Sequence, residues 1–171
     1  MKVRTLLLDF PSGPEKVALL KEVGRNPVLR NELCSLALED QDPLSWRAAW
    51  ILNGADEACP GIDWSFLPEI VESLPHLKST GTLREFLRLL TRHPVPEDSQ
   101  GLLIDRCFHY LAMERYPVAV KVHAMQIVFD HTLLYPELKE ELSMVLQDQM
   151  AHGTAGFKSR GRKILARLEQ M

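Results

Sequence analysis

The chain has 171 residues and a mass of 19.5 kDa, the size of one ordinary domain or one short repeat array. Hydrophobic residues make up 46% and charged residues 25%, which excludes wholesale disorder, and no apolar run approaches the ~18–20 residues that cross a bilayer. A net charge of −3 argues against a dedicated nucleic-acid binder, which carries a basic excess.

At the start of the chain, Lys2 and Arg4 precede Leu6-Leu7-Leu8, but Asp9 ends that run too early for a secretory signal. Val3–Leu7 is the only weak strand candidate, and a lone strand has nothing to pair with. From there on the pattern is helical. Ser12-Gly-Pro-Glu15 and Thr82-Leu-Arg-Glu85 have the form of capping boxes, in which hydroxyl and carboxylate satisfy orphan N–H groups reciprocally. Asn26-Pro27, Asp42-Pro43, Tyr116-Pro117 and Tyr135-Pro136 each open a periodic stretch, because proline at the first helical position sacrifices no intrahelical bond. Asn26 and Asp42 also suit the N-cap, as do Asp63 and Thr154. These starts predict about nine helices, over 13–23, 27–39, 43–54, 64–74, 80–92, 98–113, 117–133, 136–151 and 155–169. Leu83, Phe86, Leu87 and Leu90 form one apolar stripe, and Val120, Ala124, Ile127 and Val128 another.

An internal period overlies the helices. Arg47, Arg84, Lys121 and Lys158 follow one another at intervals of 37 residues. Each is preceded by an apolar residue, respectively Trp46, Leu83, Val120 and Phe157. Pro43 and Pro117 lie two periods apart, and Asn26 and Asp63 one. Coincident caps, apolar positions and cations predict a two-helix repeat. The expected domain is a single array over 1–171, with an N-terminal capping segment at 1–25 and repeats at 26–62, 63–97, 98–134 and 135–169.

A two-helix unit of this length, with an apolar–basic pair early in its second helix, resembles HEAT and armadillo-like repeats. Trp46-Arg47-Ala48-Ala49 and Val120-Lys121-x-x-Ala124-Met125 carry the resemblance best, over roughly residues 27–169. It implies an all-α fold, an α-α superhelix or solenoid of about four two-helix repeats. The chain is also similar to short bacterial HEAT-like proteins, a resemblance that implies no activity. HEAT repeats usually carry an acidic residue in the turn before the second helix. Asp40 and Asp42 fit, but Lys78 and Arg115 stand near that place in the next two repeats.

Candidate site residues follow from the column. Arg47, Arg84, Lys121 and Lys158 either line a surface that binds an acidic partner or phosphates, or pair with carboxylates and helix-end carbonyls inside the stack. Arg88, one turn beyond Arg84, has no evident structural role and is a better surface candidate. Trp46 and Trp50 share a helix face, and Trp50 beside Arg47 suits an interface anchor, whereas packing is the alternative. Lys158, Arg160, Arg162 and Lys163 form a basic patch, read either as a phosphate site or as a solvated terminal cap. Segment 39–72 holds eight acids against Arg47, a balance of −7, and segment 153–171 holds five bases against Glu169, a balance of +4.

Nothing in the sequence points to chemistry. His123 and His131 are about 12 Å apart along a helix, too far for one zinc, and Cys107 and His109 diverge around theirs, so no metal or other cofactor is expected. Cys34, Cys59 and Cys107 read as free thiols of a reducing, cytoplasmic compartment, the first and last in the core and Cys59 exposed. No nucleophile elbow, P-loop or dinucleotide fingerprint is present. The expectation is a non-enzymatic interaction module or scaffold that presents a curved helical surface to a protein partner. Nucleic-acid or phosphorylated-ligand binding through the column and patch is the alternative, and no membrane association is expected.

Overall fold

A computed structural model describes residues 3–171. Every regular element among them is a helix: α1 (Val3–Asp9), α2 (Gly13–Arg25), α3 (Pro27–Leu38), α4 (Leu44–Ala58), α5 (Leu67–Ser73), α6 (Thr80–Leu90), α7 (Glu97–Ala112), α8 (Val118–His131), α9 (Leu138–Met150) and α10 (Ala155–Glu169). No helix among the described residues is long and apolar enough to cross a membrane. The chain forms two compact units, Met1–Leu89 and Leu90–Met171.

In the first unit, α3 packs against α4, and α2 packs against both. Two glycines set how closely α2 approaches. A Cβ on Gly54 would lie 2.8 Å from Leu20 Cδ2, and one on Gly24 would lie 2.5 Å from Cys59 Sγ. The weak strand candidate at the N-terminus is instead helix α1, which packs on α4. Val3 and Leu7, four residues apart and both buried, give it a helical stripe where a strand would have had no partner. Arg30 is buried within this unit and donates to the carbonyls of Val23 and Gly24 at 3.0 and 2.9 Å, which satisfies the end of α2.

The second unit pairs α7 with α8 and α9 with α10, and α8 also packs against α10. Leu103, Cys107 and Leu111 of α7 are buried, as are Val120, Ala124, Ile127 and Val128 of α8. In the two units Leu83, Val120 and Phe157, the residues just before three of the column cations, are all core. That explains why the apolar position recurs: in these three pairs the first side chain is buried, while Trp46 in the remaining pair is half-buried.

Several local expectations change. Asn26 caps α3 through Leu29 N (3.2 Å), and Thr154 caps α10 through Phe157 N (3.3 Å), as the sequence predicts. Ser12 makes no side-chain cap bond. Thr82 lies inside α6, fully buried, and the hydroxyl that accepts its N–H is Ser79, at 3.1 Å. Asp42 does not cap α4; its carboxylate accepts from the Ser79 hydroxyl at 2.8 Å, while Asp40 accepts from the N–H groups of Lys78 and Ser79 at 2.7 and 2.9 Å. The acidic turn thus reaches across to the N-terminus of α6, where the helix dipole favours negative charge. Asp63 opens no helix either, since α5 begins at Leu67. The intervening Trp64 is buried and donates its indole N–H to Asp56 at 2.8 Å, which holds residues 64–66 as a turn.

Candidate interaction surfaces

The column cations occupy three different settings. Arg47 reaches back to α1 and donates to the carbonyls of Leu7 and Leu8, each at 2.9 Å. A guanidinium at a helix C-terminus satisfies orphan acceptors and opposes the negative end of the dipole. Its guanidinium carbon also sits 5.0 Å from the ring centre of Phe10 and 5.7 Å from that of Trp46. Trp46 and Trp50 pack tilted on Phe10 at 5.6 and 5.1 Å, and the Lys16 ammonium lies 4.0 Å from the Trp50 ring. Both tryptophans are half-buried, and Phe10 and Lys16 occupy the face that Trp50 shares with Arg47.

Arg84 and Arg88 converge on Glu85, which is only 2% exposed. Its carboxylate accepts from Arg84 Nη2 at 2.8 Å and Nε at 3.1 Å, lies 3.5 Å from Arg88 Nη1, and accepts from Asn53 Nδ2 at 3.1 Å. Asn53, buried on α4, donates to the Glu85 and Ala49 carbonyls as well, at 2.7 and 3.2 Å. This network ties α4 to α6 and satisfies a carboxylate that would otherwise be expensive to bury. Arg88, without an assigned role in the sequence, also forms an ion pair with Glu57. In the sequence Glu85 has the form of a capping-box residue, and Asn53 belongs to no motif. The signal was an amide in an otherwise apolar helix, where a polar group needs a partner.

Lys121 is buried on α8, with its ammonium 3.1 Å from Gln149 Oε1 and no ion pair. Burial lowers its pKa, and the negative charge of Glu114 works in the opposite direction. It lines a cavity of about 340 Å³ whose walls include Tyr116, Val118, Gln149, His152 and Phe157. Tyr116 is fixed there by an edge contact with Tyr110 at 4.8 Å and by Arg115 over its ring at 5.0 Å. Lys158 is half-buried and forms neither an ion pair nor a side-chain hydrogen bond.

The basic patch on α10 is divided. Arg160 turns onto α8 and donates to Gln126, whereas Arg162 and Lys163 are exposed. Arg167, one turn further on, lies 4.3 Å from the Phe129 ring centre.

The thiols are free. Burial pushes Cys34 up to about 12, with a smaller contribution from Glu69, and burial alone raises Cys107. Cys59 is half-buried against Gly24 and closes α4 as its C-cap, so it is not the open loop thiol the sequence suggests. Among the described residues no three His, Cys, Asp or Glu side chains converge as metal ligands would.

Paired helices with no other regular element among the described residues, and with buried Leu83, Val120 and Phe157 recurring ahead of a cation, define the helical-repeat class. The family model for a HEAT repeat domain matches residues 5–168, and the chain belongs to that family. No curated protein and no solved structure matches it.

Proposed function

We propose that this HEAT repeat domain is a non-enzymatic protein-interaction module, a scaffold that offers helical surfaces to a protein partner. Membership of the HEAT family over residues 5–168 carries this reading. The proposal includes the α-α solenoid with a 37-residue period. In its support, α4, α6, α8 and α10 begin at Leu44, Thr80, Val118 and Ala155, close to that interval. The phosphate-binding alternative has less support because three of the four column cations are spent internally, Arg47 on carbonyls, Arg84 on Glu85 and Lys121 on Gln149. The half-buried Lys158, which has no internal partner among the described residues, and exposed Arg162 and Lys163 are what remains in its favour.

A salt titration tests the choice. A fluorescent single-stranded oligonucleotide, titrated with the full chain from about 50 to 200 mM salt, should show no saturable binding under this reading. Saturable binding that weakens steeply as salt rises would overturn it, since counterion release is the mark of phosphate contacts.

A further inference from the structure

The first unit uses most of its positive charge on itself. Arg4 pairs with Glu39, Arg30 and Arg47 cap carbonyls, Lys16 covers Trp50, and Arg84 and Arg88 serve Glu85. Several of its carboxylates are not used in this way. Asp9, Glu15, Glu22 and Glu32 are all exposed, and none forms an ion pair or a side-chain hydrogen bond. These four stand along one groove.

The groove consists of two adjoining hollows, of about 470 and 170 Å³, that share Leu6, Leu19 and Glu22. It runs beside α2 from Pro11 to Asn26, roughly 20 Å for thirteen residues at the helical rise. Leu6, Ala18 and Leu19 floor one end, and Leu29 and Leu33 the other, where Val28 is 76% exposed. Among the described residues no lysine or arginine lines either hollow. An apolar floor with a rim of one sign selects its occupant by charge as well as by shape.

We infer that the groove between α1, α2 and α3 docks an amphipathic helix of a protein partner, one that flanks an apolar stripe with Lys or Arg. The length suits about three to four turns, and the floor suits anchors at i, i+3, i+4 and i+7. The four carboxylates then meet the flanking cations. This inference rests on the protein-interaction reading and gives that partner a sign, basic, opposite to the acidic one a cationic column would attract.

The test uses the full chain and two labelled peptides of about 14 residues with the same leucine stripe, one flanked by Lys and one by Glu. Anisotropy titration at low salt should show the Lys peptide binding about tenfold more tightly, two or more exposed ion pairs each contributing a few-fold. Charge reversal by Glu15→Lys with Glu22→Lys should abolish that preference, with circular dichroism unchanged because both positions are exposed. Lys21→Glu, also on α2 but not lining the groove, should leave it intact. Equal binding of the two peptides, or a preference that survives reversal, would overturn the inference. Self-association of the native chain that reversal abolishes would overturn it too, by assigning the groove to a second copy. A nuclease-resistant protein partner retained by the reversed chain would sink the groove alone, whereas a partner lost only to nuclease would sink the protein-binding reading itself.

Discussion

Replacing Glu85 with alanine should destabilise the first unit by a measurable and bounded amount. The carboxylate is 2% exposed and holds Asn53, Arg84 and Arg88 at 3.1, 2.8 and 3.5 Å. Breaking a fully buried ion pair costs about 3–5 kcal/mol, mostly because a charge is left stranded. Here Arg88 keeps its ion pair with Glu57, and Arg84, whose side chain is 41% exposed, can rehydrate. Asn53 keeps its two carbonyl acceptors. The cost therefore falls to about 1–3 kcal/mol, which for a chain of this size lowers Tm by about 3–10 °C. Thermal melts of Glu85→Ala and Glu85→Gln at moderate salt read it directly. Glutamine keeps the shape and an acceptor, so it should lie between alanine and the native chain. Arg84→Ala combined with Glu85→Ala should cost less than the two single changes added together. An unchanged Tm for Glu85→Ala, or strict additivity with Arg84→Ala, would refute the view that this part of the column is an internal fastening.

Other outcomes follow from the same geometry. Arg47→Ala removes both donors to the end of α1, so hydrogen exchange should accelerate over Val3–Asp9, by the equivalent of about 1–2 kcal/mol, with less change in α4. Lys121→Met should raise stability by about 1 kcal/mol, since it removes a buried ammonium that has no ion pair. Because the folded pKa of Lys121 is depressed, its penalty is greatest at neutral pH, where both states are protonated. The penalty shrinks as pH rises through that lowered value toward the ordinary lysine range, where the unfolded chain binds more protons. The methionine variant should lack that gain in an alkaline melt series. Gly24→Ala should cost about 1–3 kcal/mol in a denaturant titration because its Cβ would meet Cys59 Sγ and Cβ at 2.5 and 2.6 Å, whereas Gly54→Ala meets only the tip of Leu20 and should cost less. With iodoacetamide at pH 8, mass spectrometry should find Cys59 modified first, and Cys34 and Cys107 only on unfolding.

The sequence revealed what is local. Asn26 and Thr154 declare helix starts because a cap needs only a side chain and an N–H three residues on. The apolar–basic pairs were legible because core positions repeat with the helix pair. What stayed hidden depends on partners distant in the chain. Asp42 has the form of a cap for its own helix, but its hydroxyl partner is Ser79, 37 residues away. Asp63 looks like a helix start, yet the Trp64 indole bound to Asp56 holds a turn there. Arg88 lacked a role until folding brought Glu57 and Glu85 beside it. The column itself showed as four cations, but the sequence could not show that Arg47 faces carbonyls, Arg84 a carboxylate and Lys121 an amide. The acidic groove was equally invisible, since Asp9, Glu15, Glu22 and Glu32 come together only when α1, α2 and α3 pack.

Capture of the tagged native chain from its own cells, with and without nuclease, tests the protein-interaction reading most directly. A defined protein recovered in both preparations, at the same ratio to the bait, is the predicted result. Recovery that disappears with nuclease would contradict it and return Arg162, Lys163 and the column to a phosphate-binding role.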